Sequence, residues 1–140
     1  MKKLLVSQSI YDNKERKELG DMLDGRVIKF VRAANYLPIP VSNFYISPAD
    51  KNLDTHCLQS FLEQVDAAGL ILTGGSDIGQ NENRDLTEKV LLDWSIEKKL
   101  PALGLCRGMQ LMGTHGGACL EEVPNHIREY HKINGDIVDY

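Results

Sequence analysis

A chain of 140 residues, 42% hydrophobic and 26% charged, has the size and balance of one globular domain with its own core. Disulfide or metal staples are not required at that length. Formal charge is −4, from 16 basic and 20 acidic residues without a basic run, which argues against nucleic acid or an anionic membrane as the main partner.

No apolar stretch is long enough to span a bilayer. Leu4-Leu5-Val6 follows Met1-Lys2-Lys3 but stops at Ser7-Gln8-Ser9, too soon for a signal peptide, so Lys3 to Ser7 reads as a first β-strand. Asn13 to Ala34 reads as a helix, because Leu19, Met22, Leu23, Val27, Phe30 and Val31 recur at three- and four-residue steps. Tyr36 to Val41 is a second strand, its Pro38 and Pro40 favouring a sheet edge. Ser42 to Asn52 has turn composition, and Asp54 or Thr55 can cap a helix running to about Val65. Gly69 to Thr73 is a short apolar strand ending at Gly74-Gly75, followed by a polar loop. Arg84 to Lys99 is a helix with Leu86, Val90, Leu91, Trp94 and Ile96 available for its inner side. Pro101 to Leu105 is the next strand, and helical spacing resumes from Gly108 to about Thr114. This alternation implies an α/β fold with a mostly parallel sheet covered by helices on both faces. Ligands bind such sheets outside the carboxyl ends of the strands, where Thr73-Gly74-Gly75 and Leu105-Cys106-Arg107-Gly108 fall.

Gly104-Leu105-Cys106-Arg107-Gly108 has the form G-x-C-x-G between a strand and a helix, the cysteine counterpart of a nucleophile elbow. Glycines two residues to either side permit a turn sharp enough to hold the central side chain above the sheet. The following helix presents unpaired N–H groups and its positive end to the sulfur. The backbone N–H of Arg107 stands beside any carbonyl that Cys106 attacks, and the Gly74-Gly75 turn can bring a second donor close because no side chain intervenes. From spacing alone, a small apolar core cysteine is the competing reading. Cys57, Cys106 and Cys119 are an odd set without close pairs, which points to free thiols in a reducing cytoplasm.

Leu103-Gly104-Leu105-Cys106-Arg107-Gly108-Met109-Gln110-Leu111-Met112 resembles the nucleophile segment of class I glutamine amidotransferase-like enzymes. Its Arg-Gly-Met-Gln form is similar to the γ-glutamyl-γ-aminobutyrate hydrolase, or peptidase C26, branch. Leu70 to Ile78 resembles that branch's oxyanion loop, Arg84-Asp85 with Glu88 its Arg-Asp-x-x-Glu helix start, and Gly116-Gly117 before Leu120 its Gly-Gly-x-Leu segment. A narrower resemblance links Ser7-Gln8, Glu15 to Asp24, Leu37 to Pro40 and Asn125 to Arg128 with His131 to the γ-glutamyl-CDP-amidate hydrolases of capsule phosphoramidate synthesis. The resemblance implies a flavodoxin-like fold and cleavage of a γ-glutamyl amide by a cysteine thiolate, without a cofactor. It implies Cys106 as nucleophile, the N–H groups of Gly75 and Arg107 as oxyanion donors, and Gln110 at the amino-acid end of the substrate. Arg84 stands either at the mouth of the site as a substrate ligand or in an ion pair that orders the loop. A synthase partner receiving ammonia is a further implication.

The family completes its triad with a downstream His-x-Glu pair, and no His-x-Glu occurs in these 140 residues. The expectation is that residues 1–140 are the N-terminal portion of one longer amidotransferase-like domain, inactive alone. His56, His115, His126 and His131 do not fit the family position, and His115 lies more than two helical turns beyond Cys106. The alternative is a glutamine- or nucleotide-binding module that keeps the elbow and lacks the base. A zinc site is disfavoured by the lack of C-x-x-C or H-x-x-x-H spacing. A flavodoxin-like cofactor domain is disfavoured because Ser7-Gln8-Ser9-Ile10 offers no glycine for phosphate.

Overall fold

A computed structural model describes residues 1–46 and 55–124. Along the chain run β1 (Lys3–Ser7), β2 (Ser9–Asn13), β3 (Glu18–Met22), α1 (Gly25–Ala33), β4 (Leu37–Val41), a 3-10 turn (Asn43–Tyr45), α2 (His56–Val65), β5 (Ala67–Leu72), α3 (Glu82–Glu97), β6 (Ala102–Gly104) and α4 (Arg107–His115). Among the described residues, four strands pair in parallel in the order β4-β1-β5-β6. The proline-bearing β4 lies at an edge, as a strand short of N–H donors should.

Side chains alternate across each strand, so the central strands feed two cores. Leu5, Leu70 and Leu72 pack with Leu58 and Leu62 of α2, Leu91 and Leu92 of α3, and Leu111 of α4. Val6 and Ile71 point the other way and pack with Val31 of α1. Each of these side chains contributes about 1.5–3 kcal/mol through burial. Helices therefore cover both faces of a parallel sheet, in agreement with the class read from the sequence. Ile96, expected on the inner side of α3, is 60% exposed.

The long first helix is a correction. Only Gly25–Ala33 is helical, and Ser9–Asn13 pairs antiparallel with Glu18–Met22 to form a hairpin. Leu19 and Met22 happen to carry helical spacing, yet both are more than half exposed, so no core selects a helix there. Asp24 accepts from the backbone N–H of Arg26 at 2.8 Å, which sets the helix start after it. Asp21 pins the hairpin to the 3-10 turn by accepting from Ser42 Oγ at 2.5 Å and Asn43 Nδ2 at 2.6 Å. Thr55 occupies the N-cap position of α2 without capping through its side chain; Asp54 lies outside the described residues.

Candidate active site

The strands β1, β5 and β6 end side by side, at Ser7, Leu72 and Gly104. Cys106 follows β6 with φ +51° and ψ −110° and is the N-cap residue of α4. Such a backbone costs a non-glycine residue about 1–3 kcal/mol, so the surrounding packing must impose it. The flanking glycines supply that packing. A Cβ on Gly104 would lie 2.5 Å from the backbone nitrogen of Met109, and one on Gly108 would run into the Leu72 carbonyl. That carbonyl already accepts from the N–H of Leu105 at 2.8 Å. The first turn of α4 is thus pressed onto β5 and β6, and Cys106 is left exposed at its tip.

The Thr73-Gly74-Gly75 turn lies against this elbow, since a Cβ on Gly74 would stand 3.4 Å from the Cβ of Cys106. Gly75 has φ +137°, and a Cβ there would meet Arg84 Nη1 at 2.5 Å. Arg107 is the first residue of α4, so its N–H has no partner within the helix and points out of its positive end.

Beneath both turns lies a buried cluster of charges. Glu88 and Arg84 are wholly buried, and Arg107 is 1% exposed. Glu88 Oε1 accepts from Ser7 Oγ at 2.7 Å and from Arg84 Nε at 3.1 Å, while Glu88 Oε2 accepts from Arg107 Nη1. Arg107 Nη2 donates to Asp85, which in turn accepts from the N–H of Gly79 at 2.8 Å. Arg84 Nη2 donates to the carbonyls of Thr73 at 3.0 Å and Gly74 at 2.8 Å. Burial draws the Arg84 guanidinium below its ordinary value, with Glu88 pulling it back and Arg107 adding to the fall. Two cations and two carboxylates balance, which is what allows them to sit inside the protein.

A cleft of about 400 Å³ opens above Cys106. Thr73, Gly74, Gly75, Leu105 and Cys106 form one side. Ser9 and Met22 of the hairpin, with Asp24, Arg26 and Val27 at the start of α1, complete the lining. Arg26 Nε donates to Asp24 at 2.9 Å and Arg26 Nη2 at 2.5 Å. The side-chain hydrogen bond from Arg26, followed by its backbone N–H, lowers the Asp24 carboxyl from 3.8 to about 2.

The structure brings Cys106, Gly75 and the Arg107 backbone together as the sequence implies. Of the two positions open to Arg84, the buried one is found: it holds the loop and does not reach the cleft, so its expected place as a substrate ligand is corrected. Gln110 is half-buried in the first turn of α4, its N–H bonded to the Cys106 carbonyl at 3.2 Å, and is not among the cleft-lining residues. His115 pairs with Asp93 at 3.0 Å at the far end of α4, and among the described residues no histidine lines this cleft. His126 and His131 lie outside the described residues. Sequence reading missed Ser9, Asp24 and Arg26. Asp24-Gly25 before an apolar periodic run was a start signal that could have separated hairpin from helix.

Comparison with known proteins gives the family. The family model described as Peptidase C26 matches residues 6–137. A glutamine amidotransferase-like protein of Rickettsia prowazekii is 36% identical over 74 residues, 52% of this chain and 24% of that protein. The γ-glutamyl-CDP-amidate hydrolase of Campylobacter jejuni is 29% identical over 94 residues, 63% of this chain and 44% of that one. A glutamine-hydrolysing GMP synthase of Finegoldia magna is 33% identical over 92 residues, 66% of this chain and 16% of the synthase. The chain spans less than half the length of each of these relatives.

Proposed function

The chain belongs to the peptidase C26 family, and on that premise we propose that it hydrolyses a γ-glutamyl amide through a thioester on Cys106. One observation carries the reading: an exposed cysteine held at positive φ on a helix N-terminus, in contact with a glycine turn, at the floor of a cleft. The thiolate adds to the γ-carbonyl, and the oxygen takes the negative charge between the N–H groups of Gly75 and Arg107. The C–N bond then breaks, the amine or ammonia leaves with a proton, and water releases glutamate from the thioester. The γ-glutamyl headgroup carries one ammonium and one carboxylate. Among the described residues, Asp24 and Arg26 are the charged side chains lining the cleft and offer one partner to each.

The substrate class extends to a γ-glutamyl nucleotide amidate of capsule synthesis, in line with the Campylobacter relative, and a synthase receiving ammonia is in line with the GMP synthase. The place of work is read as the cytoplasm. Among the described residues no helix is long and apolar enough to cross a membrane. A second reading is a binding module that holds a γ-glutamyl compound without cleaving it; it is favoured by the cleft lining, in which Asp24 and Arg26 offer charged partners for such a headgroup. Glutamate release from a panel of γ-glutamyl amides, measured for the wild type and Cys106→Ala, separates the two. Release lost in Cys106→Ala supports the hydrolase. Saturable binding without release in either protein supports the module.

A further inference from the structure

We infer that Glu88 is a positioning residue that sets both halves of the oxyanion hole at once. The inference rests on the amidase reading of Cys106 and adds to it what aims the two donors. The Gly74 carbonyl and the Gly75 N–H belong to one planar trans peptide unit and point in opposite directions. Arg84 Nη2 grips the Gly74 carbonyl from below at 2.8 Å and the Thr73 carbonyl at 3.0 Å, so it fixes where the Gly75 N–H is aimed. Arg84 is in turn held by Glu88 Oε1 at 3.1 Å. The other carboxylate oxygen holds Arg107, whose own backbone N–H is the second donor.

One carboxylate therefore registers two loops that come from different strands, and its charge is as necessary as its oxygens. Burial first, and then the charge of Arg107, disfavour the protonated form of Arg84 at this depth, and Glu88 offsets that repulsion. Ser7 ties the same carboxylate to the sheet, donating to Glu88 at 2.7 Å while accepting from the N–H of Thr73 at 2.9 Å. Stability alone is a poor reason for such a cluster, because a well-packed apolar replacement is often as stable. Its place directly under both donors is what a positioning role requires. Arg84 Nη1 fills the space where a Gly75 side chain would go, which ties the glycine to the same device.

The test uses the full chain with Glu88→Gln, which keeps the shape and removes the charge, and Arg84→Lys, which keeps the charge and removes the two-carbonyl grip. Both should lower kcat for γ-glutamyl amide hydrolysis on the order of 10²-fold, with KM nearly unchanged. Alkylation of Cys106 by iodoacetamide should hold its rate, because that displacement builds no oxyanion. A merely structural role would move KM and alkylation together with kcat. Residual dipolar couplings of the Gly75 and Arg107 N–H bonds give a readout independent of turnover. Both vectors should reorient in Glu88→Gln while those of β1 keep their direction. If wild-type protein releases no glutamate, the amidase reading fails and the couplings alone decide the positioning. Folded variants with unchanged kcat, or with unchanged couplings at both donors, overturn the inference. Should Glu88→Gln not fold, Arg84→Lys decides through the Gly75 vector and the same split between kcat and KM.

Discussion

Two arginine–carboxylate pairs border the Cys106 cleft, one under its floor and one on its wall. Arg84 and Glu88 lie one helical turn apart on α3 with both side chains at 0% exposure. Arg26 and Asp24 open α1 with side chains 90% and 45% exposed. Water screens the second pair, so it can part and exchange partners with an incoming ligand at little cost. The first pair cannot do so, since removing one member of a buried pair leaves an uncompensated charge costing about 3–5 kcal/mol. The same chemistry thus serves as fixed scaffolding in one place and as an adjustable contact in the other. Depth, rather than residue type, separates aiming the donors from meeting the substrate.

Substitutions on the floor should act on folding and turnover, and those on the wall on binding. The largest effect on stability is expected for Gly108→Val, whose Cβ enters the Leu72 carbonyl; overpacking at that contact should cost about 3 kcal/mol. Chemical denaturation of the variant beside wild type measures it, and equal stability would mean that α4 does not rest on β5 as described. Next comes Gly75→Val. Displacing Arg84 Nη1 and forbidding φ +137° should remove one oxyanion donor, cutting kcat by roughly 10²–10³-fold, or about 2.7–4 kcal/mol, while KM stays close to wild type. Steady-state kinetics on a folded variant checks it.

On the wall, Arg26→Ala should leave kcat intact and raise KM for a zwitterionic γ-glutamyl substrate on the order of tenfold, the scale of one charge-assisted hydrogen bond. An N-acylated substrate, which lacks the ammonium, should instead be indifferent to loss of Asp24. A fall in kcat at constant KM would place Arg26 in the catalytic machinery. The smallest effect concerns pH. Folding lowers the Asp24 carboxyl from 3.8 to about 2, so the stability it contributes is complete above about pH 3.8 and is lost as pH falls through 2. A carboxyl titration by NMR should find Asp24 near 2 in wild type and higher in Arg26→Ala.

The floor was more legible in the sequence than the wall. β1, β5 and β6 are short apolar runs, β5 and β6 lead into glycine turns, and G-x-C-x-G names the elbow without help from the fold. The family resemblance drew attention to Arg84-Asp85 with Glu88, but hydrophobic periodicity could not, because a helix that turns charges inward breaks the apolar stripe. Which way Arg84 faces depends on Thr73 and Gly74, 11 and 10 residues away, and only the fold brings them together. The wall was hidden by Leu19 and Met22, whose helical spacing serves no core. Asp24 and Arg26 line the same cleft as Gly75 and Cys106, a long-range arrangement with no local signal.

The central claim is that the elbow makes Cys106 the reactive group, and thiol competition tests it most directly. Cys57, Cys106 and Cys119 are all exposed and unpaired, so access to reagent does not favour one of them. They differ in setting: Cys57 lies within α2, Cys119 follows α4, and Cys106 sits on a helix N-terminus. Folded protein should be treated with less than one equivalent of iodoacetamide and mapped by peptide mass. The account expects Cys106 to be labelled well ahead of the other two, and that preference to vanish in denaturant. Equal labelling of the three in the folded state, or preference for Cys57 or Cys119, would contradict it.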